Sequence, residues 1–224
     1  MLCWRSCFCL SYGAAVRGGH VWIEGELEMN LDCVFRAFPN LETERFVLRQ
    51  LHLSDTEPLF AILSDEEVIR FYDDEAFTDV GQAREQLEAW DRGFDAQRSV
   101  RWGIARKTDD RVVGTCGYYG FHTWNNRGSI GYELARAYWR QGTMTEALAA
   151  IVGFGFREIG LNRIQVVVMP GNVGSERLLE KLGFRREGLL REYENWGNKG
   201  YVDVNMFSLL RCEVNHSSMR GILQ

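Results

Sequence analysis

No stretch of the sequence holds the ~18 consecutive apolar residues of a membrane-crossing helix, so no membrane partner is expected. Positive charge is not in excess: 26 Lys and Arg face 31 Asp and Glu, a formal charge of -5. A nucleic-acid binder would carry a basic footprint, so no nucleic-acid partner is expected. The six cysteines, Cys3, Cys7, Cys9, Cys33, Cys116 and Cys212, are scattered, with no His or Cys at metal-finger spacing. Neither a disulfide framework nor a metal is therefore expected, and incidental thiols fit a reducing cytoplasm. Internal repeats and strong linkers are also missing.

The chain is long enough for one core. With 224 residues and 46% hydrophobic content, a single domain would bury about 70% of its unfolded surface. Residues 1–37 differ from the rest and are expected to be an atypical N-terminal extension, flexible or artefactual. The apolar part of that segment is broken by Arg5, Ser6, Ser11 and Gly13, too short for a secretory signal. Residues 38–211 form the expected domain, and 212–224 a polar tail.

Within the body, hydrophobic spacing predicts a strand at 45–50, a helix at 55–63 with Leu59, Ile62 and Leu63 inward, a short helix at 66–71 and a longer one at 80–92. Strands at 100–106, 111–120 and 129–134, separated by Asp109-Asp110 and by the Asn125–Gly128 stretch, read as an antiparallel meander. A long helix is expected at 142–159 with Met144, Leu148, Ile151, Val152 and Phe156 in the core. A Val-rich strand at 163–169 reads as buried on both faces. A helix at 175–182 stopping at Gly183, then a hairpin of 184–192 and 201–210, complete a mixed α/β (α+β) domain.

Two turns invite chemistry. Gly142 stands after a strand and at the start of the longest helix, within Trp139-Arg140-Gln141-Gly142-Thr143-Met144-Thr145. A helix start exposes unsatisfied N–H groups and partial positive charge, and glycine lets an anion approach the backbone. The same glycine serves equally as ordinary helix punctuation. The turn is neither GxxxxGK[ST] nor GxGxxG, which sets aside the usual P-loop and Rossmann readings. Downstream, Asn172 and Ser175 stand at a second helix entrance, where capping alone would account for Ser175.

Together these segments resemble the GNAT superfamily of acetyl-CoA-dependent N-acetyltransferases. The signatures are Ile130-Gly131-Tyr132-Glu133-Leu134, then the turn from Tyr138 to Ala147, then Asn172-Val173-Gly174-Ser175 with Leu179-Glu180-Lys181-Leu182-Gly183-Phe184. The opening Leu41-Glu42-Thr43-Glu44-Arg45-Phe46 and the later Tyr201-Val202-Asp203-Val204 are similar to its ribosomal-protein N-terminal acetyltransferase branch. The resemblance covers roughly 41–211. It departs from the usual pattern at Trp139 and Met144, where the family's turn generally starts with Gln or Arg and ends with Gly or Ala.

The resemblance implies a twisted, mixed seven-strand sheet flanked by helices, its fourth and fifth strands (129–135 and 163–169) splayed around acetyl-CoA. Cofactor contacts would come from Leu134, Arg140, Gln141, Gly142, Thr143, Met144, Thr145, Asn172 and Ser175. An N–H near Glu133 or Leu134 would polarise the carbonyl. Glu133 would act as the base, directly or through water, or as a charge clamp, and Ser175 would serve the departing thiolate. Tyr72, Trp90, Tyr119, His122, Trp124, Tyr193 and Trp196 are the candidate acceptor-pocket residues, each equally readable as ordinary packing or loop structure. Cys116, in a strand with no evident partner, is a weak candidate nucleophile. The implied activity is direct acetyl transfer to a primary amine, most readily a protein or peptide N-terminus. A small amine, polyamine or antibiotic is the alternative acceptor, and a non-catalytic CoA- or peptide-binding module the alternative class. A homodimer is in keeping with this branch.

Overall fold

A computed structural model describes residues 14–17, 20–23, 29–72 and 75–214. The segments 1–13 and 215–224 lie outside the described residues, so the expectations for the chain's start and most of its tail fall there. Strands β1 (Ala14–Arg17) and β2 (His20–Ile23) pair antiparallel as a ribbon separate from the main sheet.

The main sheet holds β3 (Leu41–Glu42), β4 (Phe46–Gln50), β5 (Val100–Arg106), β6 (Val112–His122), β7 (Arg127–Leu134), β8 (Arg163–Val168), β9 (Arg185–Asn195) and β10 (Tyr201–Leu210). Their spatial order is β3-β4-β5-β6-β7-β8-β10-β9. These are the seven expected strands plus a two-residue edge piece, Leu41–Glu42. Every neighbouring pair is antiparallel except β7 and β8, which run parallel. That single parallel step needs a crossover, supplied by helix α5 (Thr143–Phe154).

Helices cover both faces. α5 and α6 (Val173–Lys181) share a core with Trp102, Tyr118, Ile130, Ile164 and Phe207. On the other face α2 (Thr56–Leu63) and α4 (Val80–Asp95) bury Leu59, Ile62, Leu63 and Leu87 against Leu51, Ala105 and Val112. The short α3 (Glu66–Ile69), capped by Asp65, links them. Val80 opens α4 at the surface, 37% exposed; the inward stripe of that helix is carried by Ala83 and Leu87.

Two expectations change in instructive ways. The packed body starts before residue 38: helix α1 (Asp32–Phe35) inserts a fully buried Val34, and the Asn30 amide donates to the Ile159 carbonyl at 2.7 Å. The long helix also loosens near its end into a π turn, Gly155–Ile159. There the Tyr118 hydroxyl donates to the Ile151 carbonyl at 2.8 Å, and a Cβ on Gly155 would lie 2.0 Å from that hydroxyl. A buried phenol inserted into the helix ladder is a recognised cause of such widening.

β8 is the third correction. Ile164, Val166 and Val168 are buried, but Arg163, Gln165 and Val167 are only half-buried. The second face of this strand borders cavities rather than a helix, so alternation replaces the continuous burial expected of a parallel strand.

Candidate active site

The parallel pairing of β7 and β8 runs through Arg127–Arg163, Gly128–Ile164 and Ser129–Gln165 and then ceases. Beyond it the strands separate, and residues 130–134 and 166–169 line opposite sides of a cavity of about 1130 Å³. The backbone of each strand is thereby left with groups that its neighbour does not satisfy, which is where an extended amide-bearing chain would pair.

At one end of this gap the chain passes through a 3₁₀ turn, Arg136–Tyr138, and enters α5. The Trp139 indole N–H donates to the Leu134 carbonyl at 2.8 Å, tying the turn to the end of β7. Arg140 and Gly142 both take left-handed backbone conformations, with φ of 59° and 76°. A side chain at residue 142 would be strained, though space is open: a Cβ would meet only Arg45 Nη2 at 3.6 Å. The Arg45 guanidinium donates to the Gln141 carbonyl at 3.1 Å and to Glu146 Oε2 at 2.7 Å, which buttresses the turn from behind.

Among the described residues, the backbone hydrogen bonds outside regular elements include none donated by the amides of residues 140–145; the first is Glu146 N–H to Gly142. The Thr143 hydroxyl is buried without a partner. Arg140, Gly142, Thr143, Met144 and Thr145 line the cavity, as do Arg177 and Lys181 from α6. Gln141 does not: its side-chain amide donates to the Ala137 carbonyl at 2.6 Å. Orphan amides, an unpaired hydroxyl, an open glycine and several cations fit a phosphorylated carrier.

Across the gap, Asn172 caps α6, its Oδ1 accepting from the Ser175 N–H at 3.2 Å. The Ser175 hydroxyl lies 2.5 Å from the Tyr132 hydroxyl of β7. Burial pushes the Tyr132 phenol well up from its ordinary value, partly offset by the Ser175 hydrogen bond. Tyr132 therefore stays protonated at neutral pH. Tyr132 stands inside the Ile130–Leu134 signature but was not among the sequence candidates for a catalytic role. The available signal was alternation in β7, which puts Tyr132 on the face opposite Glu133.

On that opposite face Glu133 is buried, its side chain 1% exposed. Both carboxylate oxygens are engaged. Thr115 donates to Oε1, Arg101 donates to Oε2, and the Tyr72 hydroxyl donates to Oε2 at 2.7 Å. Arg101 also reaches the Thr115 hydroxyl at 2.7 Å, the Gly131 carbonyl at 3.0 Å and the Tyr72 hydroxyl at 3.3 Å, and its guanidinium sits 5.1 Å from the Trp90 ring centroid. Arg101 and Thr115 were not among the sequence candidates.

The acceptor candidates separate into groups. Tyr72, Trp90, Tyr119 and Trp196 line the large cavity. His122 and Tyr193 line a smaller neighbouring one, together with Tyr119. Trp124 borders neither and is 72% exposed. Cys116 is fully buried, and burial pushes its thiol up to about 12, so it is no thiolate at neutral pH. Among the described residues there is no cluster of three metal-ligating side chains, and no helix is long and apolar enough to cross a membrane.

Comparison with known proteins agrees with this geometry. Residues 45–185 match the family described as acetyltransferase (GNAT) domain. The chain is 37% identical over 174 residues to the uncharacterized N-acetyltransferase YoaA of Bacillus subtilis, covering 78% of this chain and 98% of the relative. Its fold is similar to that of Mycobacterium smegmatis RimJ, solved in complex with CoA-disulfide, with TM-score 0.69, 22% identity, and coverage of 79% of this chain and 89% of that one. It is also similar to the ribosomal-protein-S5-alanine acetyltransferase of Vibrio fischeri, with TM-score 0.63, 21% identity, and coverage of 77% and 97%. At these identities the last two are likenesses of fold.

Proposed function

Because the chain belongs to the GNAT family and is an acetyl-CoA-dependent N-acetyltransferase, we propose that its acceptor is the amine at a protein or peptide N-terminus. The observation that carries this reading is the acceptor side of the cleft. A buried carboxylate lies beneath a roomy cavity walled by Tyr72, Trp90 and Trp196. Aromatic faces draw in the terminal ammonium group, which gives up one proton to solvent before it attacks, and the open volume accommodates the chain behind it. The fold likeness to a ribosomal-protein acetyltransferase is consistent with this acceptor class.

Acetyl-CoA, when bound, supplies the acetyl thioester. The amides of residues 140 and 142–145, with Arg140, Arg177 and Lys181, would hold its phosphates, and the unpaired edges of β7 and β8 its amide-bearing arm. Positioning of this kind contributes much of the rate in direct transfer between two bound substrates.

Glu133 works through its neighbours. With both oxygens occupied it holds Tyr72 and Arg101 in place, and Tyr72 faces the acceptor cavity. An amine proton passes to Tyr72 Oη while the Tyr72 proton moves along the 2.7 Å bond to Glu133 Oε2. Arg101 weakens that carboxylate as a base, yet the amine nitrogen turns acidic as its lone pair is donated, so a weak base suffices. On the other face the Tyr132–Ser175 pair holds a proton for the departing sulfur; the buried phenol keeps it at neutral pH. Ser175 orients that phenol.

The test is release of free thiol from acetyl-CoA in the presence of ribosomal N-terminal peptides, polyamines or aminoglycosides. Turnover with peptides well above that with the other two supports the reading. Turnover confined to polyamines or aminoglycosides moves the acceptor to that class.

A further inference from the structure

A second cavity, about 280 Å³, adjoins the first on the Glu133 face of the sheet. Tyr119, Val167 and Glu194 line both. The floor of the smaller one is the last paired step of β7 and β8, Ser129 against Gln165, with Gln165 Nε2 donating to Ser129 Oγ at 3.1 Å. Tyr119 and Tyr193, each 51% exposed, wall it, and Arg127 lies at its far side.

Alternate residues of a strand share a face, so Arg127, Ser129, Gly131 and Glu133 form one row. The row runs from this shelf to the reacting end. Ser129 and Glu133 are four residue steps apart along the strand, about 13 Å at ~3.3 Å per residue. An extended peptide covers that distance with its first four residues. A peptide whose terminal amine lies by Glu133 and Tyr72 therefore carries its third and fourth residues onto the shelf.

The chemistry of the lining favours a peptide over a polyamine. Arg127 offers only donors, and the tyrosines and Gln165 add further donors, which suits the carbonyl groups of a peptide. Glu194 on the same wall attracts a cation and Arg127 opposes one; an extended peptide presents carbonyls to Arg127 and N–H groups to Glu194 at once, which a protonated polyamine, having no acceptors, does not. We infer that the shelf formed by Ser129, Gln165, Tyr119, Tyr193 and Arg127 is the subsite for the third and fourth residues of an N-terminal peptide acceptor. This rests on the peptide-acetylating reading above.

The test compares kcat/KM for a dipeptide amide and a tetrapeptide amide sharing the same first two residues, on the wild type and on Gln165→Trp, which fills the shelf. Tyr193→Ala is the second variant, at a half-exposed wall position where folding is not at stake. The tetrapeptide is expected to exceed the dipeptide by about tenfold in the wild type, the equivalent of ~1.4 kcal/mol. Both variants are expected to shrink that ratio toward one. Calorimetric titration of the tetrapeptide into the CoA-bound enzyme, a readout independent of turnover, should show the same weakening. Equal turnover of the two peptides, or a ratio untouched by both variants, overturns the shelf while leaving peptide acetylation intact. Turnover of polyamines with neither peptide acetylated overturns the acceptor reading, and the shelf's assignment with it.

Discussion

The proposed cofactor side of the cleft is made of backbone, whereas the proposed acceptor side is made of side chains that meet across long stretches of sequence. The phosphate turn needs six consecutive residues, 140–145, a glycine at φ 76° and a helix start. The acceptor floor needs Tyr72, Arg101, Thr115 and Glu133, with separations from Glu133 of 61, 32 and 18 residues. The first kind of site tolerates varied side chains, since amides do the binding. The second is a buried ionic network, in which each member depends on the others. Substitutions should therefore injure the two sides differently: stability and acceptor handling on one, cofactor affinity on the other.

Arg101→Met should have the largest effect. It leaves the Glu133 carboxylate buried and uncompensated, a loss of about 3–5 kcal/mol, read by chemical denaturation. Adding Glu133→Gln should recover much of that loss, because the stranded charge is gone. No stability change in the single variant would mean that the floor is not the coupled unit described.

Tyr132→Phe should come next, and it sharpens the contrast by acting on chemistry alone. Loss of a positioned proton donor typically costs about 10²-fold or more in rate. The expected result is a fall in kcat with little change in KM for acetyl-CoA. An unchanged kcat would move the proton to another group. Ser175→Ala should do less than Tyr132→Phe, since the serine acts by orienting the phenol.

Gly142→Ala tests the backbone side. The left-handed conformation costs a side-chain-bearing residue roughly 1–2 kcal/mol, and the Cβ site itself is open. A modest loss of stability together with weaker CoA binding by calorimetry is expected. Unaltered binding would show that the turn is not the phosphate contact.

The smallest effect lies outside the cleft and serves as the control. Glu187 on β9 accepts from Arg163 of β8 at 2.7 Å and from Ser208 of β10 at 2.6 Å, which holds its carboxyl down at about 2. The folded value is below the ordinary 4.5, so its contribution is complete above pH 4.5 and is lost as pH falls from there toward 2. The side chain is half-exposed and screened, which makes the effect small. Glu187→Gln should flatten stability slightly across that window and leave acetyl transfer at neutral pH alone.

Legibility in the sequence follows the same division. Local patterns placed the strands of the meander, the crossover helix and the final hairpin close to where they lie. Gly142, Asn172 and Ser175 could be read because turn chemistry and capping are short-range. What stayed hidden was tertiary. Nothing near Arg101 in sequence marks it as the partner of Glu133, and Tyr132 meets Ser175 only because β7 and α6 face each other across the splay. The half-exposed face of β8 was hidden for a related reason: parallel strands are normally covered on both sides, and here cavities stand where a helix would.

Amide hydrogen exchange with and without CoA tests the central claim most directly. The gap between β7 and β8 and the turn at its end should receive the carrier, so CoA should slow exchange at residues 140–145 and along 130–134. Binding of CoA with no protection at those amides, or with protection confined to other parts of the chain, would contradict it.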